Sequence, residues 1–569
     1  MQLRAGAFTL LYEEGFLRYI SYGKTEVLRM IYFSLRDENW GTFDIIIKNE
    51  NIKVEGNDFH ITYDCYHQKN GIDIYCWKAT ISGNQKGQII FEIDGCALAD
   101  FLKNRLGFCV LHPIGDYTGQ QVQITHPDNI ITQTNFPEYI ASDSPFKQIK
   151  RFKWQTDNRW YNLDFEGDVF ETEDQRNWTD ASFKTFCTPL NLPFPVKIKN
   201  GEETYQKITF SPVTDLPELV KNKDERIQII ITEQVFKLPD IGIAASTVVT
   251  DKLSEKAQSL LRGLQLKHYS IIVEPSTQNG TPQFFCDIDN AQALQLPLCI
   301  TLQLGDDFIK EVANFIALCH QAKAEISTVV LLSKNELVTQ QQLIDHIGII
   351  KAQLPGISIG VGTDYNFKEI NRCRFDANEA QFVSYSIHPQ EHAFDDQTLI
   401  ENIVAQAATV RSTKNIYGEE MPVYISPVTF KKRFNPYATD PTYITKSENE
   451  RTDARQKTNF GALFTLGSIK NLTIAKVSRI TYFQTIGDQG IISVESKPFP
   501  VYYALKSILN STATSMVNTI SSNQLVVDSL LLNNGILLLW NYTTTKQTVL
   551  LPNGSLIGLE IHEIKTVKY

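Results

Sequence analysis

Eight short, wholly apolar runs punctuate the chain after residue 225: RIQIIIT, HYSIIVE, LCITLQL, TVVLLS, ISIGVG, FVSYSI, VYISPV and RITYFQT. A strand that reads as continuously apolar is buried on both faces, the condition of a parallel sheet covered by helices. Helical patterns occupy most of the gaps. Leu253, Ala257, Leu260, Leu261 and Leu264 share one face between the first two runs, and Phe308, Val312, Phe315, Ile316 and Cys319 share one between the third and fourth. Eight buried strands with helical crossovers have the arrangement of a (β/α)8 (TIM) barrel, whose typical length is about 250 residues.

The rhythm before residue 215 is different. FTLLY, FLRYISYG, DIIIKN, HITYDCY, IYCWKATI, QIIFEID and GFCVLHPI are rich in β-branched and aromatic residues and are bounded by Gly, Asn or Asp. With no helix between them, they predict a two-sheet antiparallel β-sandwich. PVTDLPELVKNKD (Pro212 to Asp224) reads as a linker, and strand patterns return from Gln524. The expected multidomain order is an N-terminal β-sandwich over 1–215, a (β/α)8 barrel over 225–510 and a small C-terminal β domain over 511–569.

A formal net charge of -10, with no basic cluster, argues against nucleic acid or an anionic membrane as partner. Glu13 and Glu14 interrupt any export signal at the start, and no run approaches the roughly 18 apolar residues of a membrane span. The nine Cys carry no CxxC pair and read as thiols in a reducing compartment, so the expected location is cytoplasmic. Nothing in the sequence sets the oligomeric state.

In a barrel, catalytic groups follow the C-terminal ends of the strands. The sixth run continues as SIHPQEHAFDD, placing His388 and His392 four residues apart with Gln390, Asp395 and Asp396. A neutral His there can act as general base near pH 7. Metal ligation by the two His and a carboxylate is the sharper alternative, but Pro389 breaks helical pairing and no HExxH or HxH occurs, so no metal or cofactor is expected. The alternative is that the two His satisfy loop backbone groups. Asp364, after Gly360 and Gly362, can orient a His or hold a hydroxyl, or it and Asn366 can cap the next helix. Lys431, Lys432 and Arg433 follow the seventh run, where a solvated loop is the commoner reading, although Lys431 can hold an anionic oxygen. Ser426 precedes a proline and lies in no GxSxG elbow. Asn335 and Glu336 stand where many barrel glycosidases carry their acid, but Gln484 at the eighth strand cannot supply the second carboxylate.

One stretch outside the barrel is equally dense: FETEDQRNWTDASFKTF, Phe170 to Phe186. Two readings stand open: a clamp between domains, or a loan of Arg176, Asn177 and Asp180 to the barrel pocket.

EDQRNWTDASFKTF, GFCVLHPI, GVGTDYNFKEINR, SYSIHPQEHAFDD and ISPVTFKKRFNP together resemble the D-apionate lactonase family over essentially the first 500 residues. The resemblance implies a cytoplasmic hydrolase that opens D-apionolactone, the five-membered lactone of a branched sugar acid, to D-apionate in apiose breakdown. Its expected partner is therefore a small-molecule sugar lactone. For that chemistry the residues suggest His388 or His392 as base, positioned by Asp364 or Asp395, and Lys431, Asn435 or Arg176 as oxyanion donor. Asn177, Asp180, Glu274, Glu336, Asn366, Gln390 and Gln484 complete the expected substrate contacts. The competing expectations are a glycoside hydrolase acting on plant cell-wall oligosaccharides and an inactive carbohydrate-binding relative.

Overall fold

Strict alternation builds the N-terminal unit. In strands such as Phe8–Glu13 and Asp58–Lys69 nearly every second side chain is buried, so each sheet offers one apolar face and the two faces must pack together. The result is an antiparallel eight-stranded sheet, with Thr25–Arg36 and Arg105–Pro113 at its centre, and an antiparallel nine-stranded sheet around Ile89–Ala97 and Glu203–Pro212. They share one aromatic core that includes Phe8, Phe33, Trp77, Phe91, Phe108 and Trp154. The computed structural model describes residues 1–115, 117–217, 226–249, 251–276, 281–438, 442 and 444–569. Most of the second half of the expected linker, from residue 218, lies outside them. The chain divides into two units: Met1–Gln175, Ala181–Lys223 and Asn435–Ile444 in one, and Arg176–Asp180, Asp224–Phe434 and Thr445–Tyr569 in the other.

The second unit contains the barrel. Its eight parallel strands are Asp240–Ala244, Tyr269–Val273, Leu298–Leu304, Ile326–Ser333, Ser358–Gly362, Val383–Ile387, Val423–Val428 and Arg479–Ile486. The ring closes where Asp240, Ile241 and Gly242 pair with Arg479, Ile480 and Thr481. The first strand differs from the expectation. RIQIIIT belongs to Ile227–Lys237, which pairs antiparallel with Ser515–Ser521 and parallel with Gln547–Leu550 in the C-terminal sheet. Its burial explains why: Ile227 and Ile229 are buried while Ile230 is 55% exposed, so only one face needs cover. The true first strand, DIGIA, is short and carries a glycine opposite Thr481 of the eighth strand. A Cβ on Gly242 would lie 2.3 Å from the His268 ring, so the glycine makes room for a buried imidazole inside the barrel.

Seven strands form the C-terminal sheet, whose apolar side includes Val527, Leu537, Leu539 and Val549 packed on Ile227 and Ile229. Within the same unit Lys470, on helix Asn459–Ile474, forms an ion pair with Asp528 of strand Val527–Leu532, and both side chains are almost fully buried. Burial raises the Asp528 carboxyl pKa, and the Lys470 charge pulls it back. Lys470→Met strands a buried carboxylate, so it is expected to destabilise the protein by about 3 kcal/mol at pH 7. Chemical denaturation at pH 7 and pH 5 checks this. The loss should shrink at pH 5, where the orphaned carboxyl can take up a proton.

Candidate active site

Residues on six of the eight barrel strands, or on the loops that follow them, line a cavity of about 350 Å³. That volume falls within the range of small-ligand sites, about 300–1,000 Å³. The fifth strand delivers one wall. Gly362 has φ of +150°, and a Cβ there would come within 1.9 Å of the Ser384 carbonyl oxygen, so glycine lets the fifth and sixth strands approach closely just before Asp364. Asp364 is only 9% exposed. It is held by Arg433 from the loop after the seventh strand: Nη2 donates to Oδ1 at 2.6 Å and to the Asp364 carbonyl oxygen at 2.7 Å, and Nη1 donates to Oδ2 at 3.2 Å. This paired, hydrogen-bonded geometry fixes the guanidinium at the cleft. It also engages Asp364 with an arginine rather than with a histidine.

A second carboxyl lines the same cavity and was not among the expected residues. Asp287 sits on helix Thr281–Leu294, after the second strand. It shares the buried side of that helix with Phe284, Ile288 and Ala291 and is itself 7% exposed. Burial pushes its pKa from the ordinary 3.8 up to about 6, against a pull downward from the Gln283 Nε2 hydrogen bond to Oδ1 at 3.1 Å. A carboxyl poised there can accept a proton and return it near neutrality.

Arg451 supplies the complementary group. It closes the one-turn helix Glu448–Arg451, which is fixed by a capping box between Ser447 and Glu450. Its side chain lines the cavity, and Nε is buried with no hydrogen-bond partner among the described residues. Burial, then the charge of nearby Arg433, lowers its pKa, with Glu448 opposing. Two guanidiniums at one cavity, one of them committed to Asp364 and the other open, favour an anion between the walls.

The hydroxyls at the cavity floor point a different way. Ser426 Oγ donates to Thr481 Oγ1 at 2.9 Å, and Thr481 Oγ1 lies 2.9 Å from His268 Nε2. Burial, with a smaller contribution from the charge of Arg479, drops the His268 pKa to about 3. Such an imidazole is too weak a base to activate a serine, which leaves Ser426 as a hydrogen-bonding group.

The expected histidine pair lies elsewhere. His388 is 3% exposed and is not among the residues lining the cavity. Its Nε2 faces Glu391 Oε2 at 3.3 Å, and Lys432 holds the other Glu391 oxygen at 3.1 Å. Burial lowers the His388 pKa to about 4, outweighing the pull of Glu391. His392 donates or accepts through Nδ1 with Asp180 Oδ2 at 2.6 Å, while Asn402 Nδ2 donates to Asp180 Oδ1 at 3.0 Å. Asp180 is thus a carboxylate partner of this ring, while Asp364 is held by Arg433. Asp395 instead caps helix Asp396–Glu401, accepting from Thr398 N at 3.0 Å.

Arg176–Asp180 count with the barrel unit. Asn177 Oδ1 accepts from Asn371 Nδ2 at 2.9 Å, Thr179 Oγ1 donates to the His388 carbonyl at 2.7 Å, and Lys368 and Arg372 sit over the Trp178 ring. Arg176 is 1% exposed. None of the five lines the cavity. In the other unit, Glu173 pairs with Lys184, its neighbour in register on the adjacent strand.

Among the remaining expected residues, Gln484 lines the cavity, with Oε1 accepting from Thr247 N at 3.1 Å. Glu274 pairs with Lys334 at 2.9 Å and Glu336 is exposed. Asn366 precedes helix Phe367–Arg372 without a side-chain cap bond. Asn435 groups with the N-terminal unit. Gln390 and Lys431 line a separate cavity. Among the described residues no three His, Cys, Asp or Glu side chains gather as metal ligands.

The comparisons with known proteins put the chain among the hydrolases, in the class of the lactonases. The chain belongs to the D-apionate lactonase family: residues 1–215 match the D-apionate lactonase N-terminal domain, and residues 241–513 match the D-apionate lactonase TIM barrel domain. A D-apionate lactonase from Brucella anthropi is 26% identical over 590 aligned positions, covering 100% of this chain and 96% of that protein. Solved structures that the chain matches include a family 51 α-L-arabinofuranosidase from Bifidobacterium longum (9% identity, TM-score 0.43, 57% of this chain and 87% of that one). A GH30 endoxylanase from Clostridium papyrosolvens is another (9% identity, TM-score 0.40, 60% and 99%).

Proposed function

We propose that the chain hydrolyses D-apionolactone to D-apionate in apiose catabolism, in the barrel cleft, with Asp287 as general base and then general acid. The carrying observation is a buried carboxyl, Asp287, lining one cavity with Arg451, whose Nε has no hydrogen-bond partner among the described residues. In the first step the Asp287 carboxylate takes a proton from water as that water attacks the lactone carbonyl. Negative charge then develops on the carbonyl oxygen, where Arg451, supported by Arg433, stabilises it. As the tetrahedral intermediate collapses, Asp287 returns its proton to the departing ring oxygen. Gln484, Gln283 and Ser426 hold the sugar hydroxyls. The product is a hydroxy acid whose carboxylate faces the two arginines.

A glycoside hydrolase would need two carboxyl groups available at the scissile bond. Here Asp364 is committed to Arg433, and Glu336 lies outside the cavity lining. The nine cysteines are free thiols, and no helix among the described residues is long and apolar enough to cross a membrane. Free thiols fit a reducing compartment, and we place the reaction in the cytoplasm.

The pH profile tests this reading. Because the base form of Asp287 is required and its pKa is about 6, kcat/KM for D-apionolactone should climb about tenfold per pH unit below 6 and level off above it. A flat profile from pH 4.5 to 7.5, or release of reducing sugar from plant cell-wall oligosaccharides with no lactone turnover, would contradict it.

A further inference from the structure

A second cavity, of about 510 Å³, lies beside the same two segments that wall the substrate cleft. After the seventh strand, Thr429, Phe430 and Arg433 line the substrate cleft, while Lys431 and Lys432 line the second cavity. The segment that follows Glu450 divides in the same manner. Arg451 and Gln456 line the cleft, and Thr452, Asp453, Ala454 and Arg455 line the second cavity. Gln390 ties the two segments together, its Nε2 donating to the Phe430 carbonyl at 2.9 Å and to Asp453 Oδ2 at 2.7 Å.

The second cavity is cationic. Lys431, Lys432, Lys446 and Arg455 line it, against the carboxylates of Glu450 and Asp453. Lys432 is engaged with Glu391, Lys446 with Glu450, and Arg455 with Asp453 and Asp396. Burial would raise the Asp453 carboxyl, but hydrogen bonds from Arg455 and Gln390 hold it down at about 2, so that part of the wall is already neutralised. Lys431 is different. Its ammonium has no hydrogen bond or ion pair among the described residues, in a concave site that Lys432 and Lys446 also line. A compact oxyanion suits such a site, because it can accept from several N–H donors at once and the lining carries four cationic groups against two carboxylates.

We propose that this cavity binds a compact oxyanion, the phosphate or carboxylate group of a small metabolite, and that its occupant adjusts the substrate cleft through the two shared segments. Binding is independent of the lactonase reading; only the effect on turnover rests on it.

The test uses the full chain with inorganic phosphate and, in a parallel arm, gluconate. Either anion should raise the Tm of the wild type and of Arg451→Ala by about 2 °C or more, with saturation. The double variant Lys431→Ala, Lys446→Ala should lose that shift. A shift with only one of the two anions identifies the group recognised. Phosphate should also change KM for the lactone in the wild type but not in the double variant. No shift with either anion would overturn the site. So would an undiminished shift in the double variant, or a shift lost only in Arg451→Ala, which places the anion in the substrate cleft. A shift with an unchanged KM would leave binding and overturn the coupling.

Discussion

Asp287→Asn is expected to lower lactone turnover at pH 7 by about 10²- to 10⁴-fold, the usual contribution of a positioned acid–base group, while making the protein more stable at the same pH. The two effects have one cause. The folded pKa of about 6 lies above the ordinary aspartate value of 3.8, so between those values the folded state holds more protons than the unfolded state. Stability therefore falls as pH rises through that window, and the full penalty, at most about 3 kcal/mol, is present above pH 6. A neutral amide of the same shape removes the charge that burial disfavours. The variant should melt higher than the wild type at pH 7.5 and no higher at pH 4. Equal melting at both pH values would place Asp287 in an ordinary solvated setting and remove it from the reaction.

Arg451→Met should cost about 10²- to 10³-fold, chiefly in kcat, because a donor aimed at a developing oxyanion acts more strongly on the transition state than on the neutral ester. Stability should change little, since the Nε of Arg451 has no hydrogen-bond partner among the described residues to lose. Arg451→Lys keeps the charge but not the planar fork and should recover only part of the rate. Steady-state kinetics of the three proteins check this: a loss confined to KM would make Arg451 a ground-state binding residue instead.

The barrel was legible because its later strands are buried on both faces, and period-free apolar runs such as LCITLQL and TVVLLS have few other destinations. The first strand was not, because DIGIA is five residues with a glycine made necessary by His268, whereas the more apolar RIQIIIT nearby belongs to another sheet. Within the site, Asp364 and Gln484 stand directly at strand ends, so the rule that places chemistry there finds them. Asp287 escapes that rule because it comes from a crossover helix. Its signal was a carboxylate in register with Phe284, Ile288 and Ala291, on the side of the helix that faces the core. Arg451 had a weaker signal, the Ser447–Glu450 capping box that fixes the turn it ends. The paired histidines stand out by their spacing and by their place just after the sixth strand. Burial makes His388 a poor base, and the partner of His392, Asp180, lies 212 residues earlier, a separation that no local pattern reveals.

The most direct test is the initial rate of acid release from D-apionolactone, measured for the wild type at pH 5 and 7.5 and for Asp287→Asn at pH 7.5. The account predicts release well above buffer at pH 7.5, a rate about tenfold lower at pH 5, and near-background release from the variant. Wild-type release equal to buffer, or an Asp287→Asn rate equal to wild type, would contradict it.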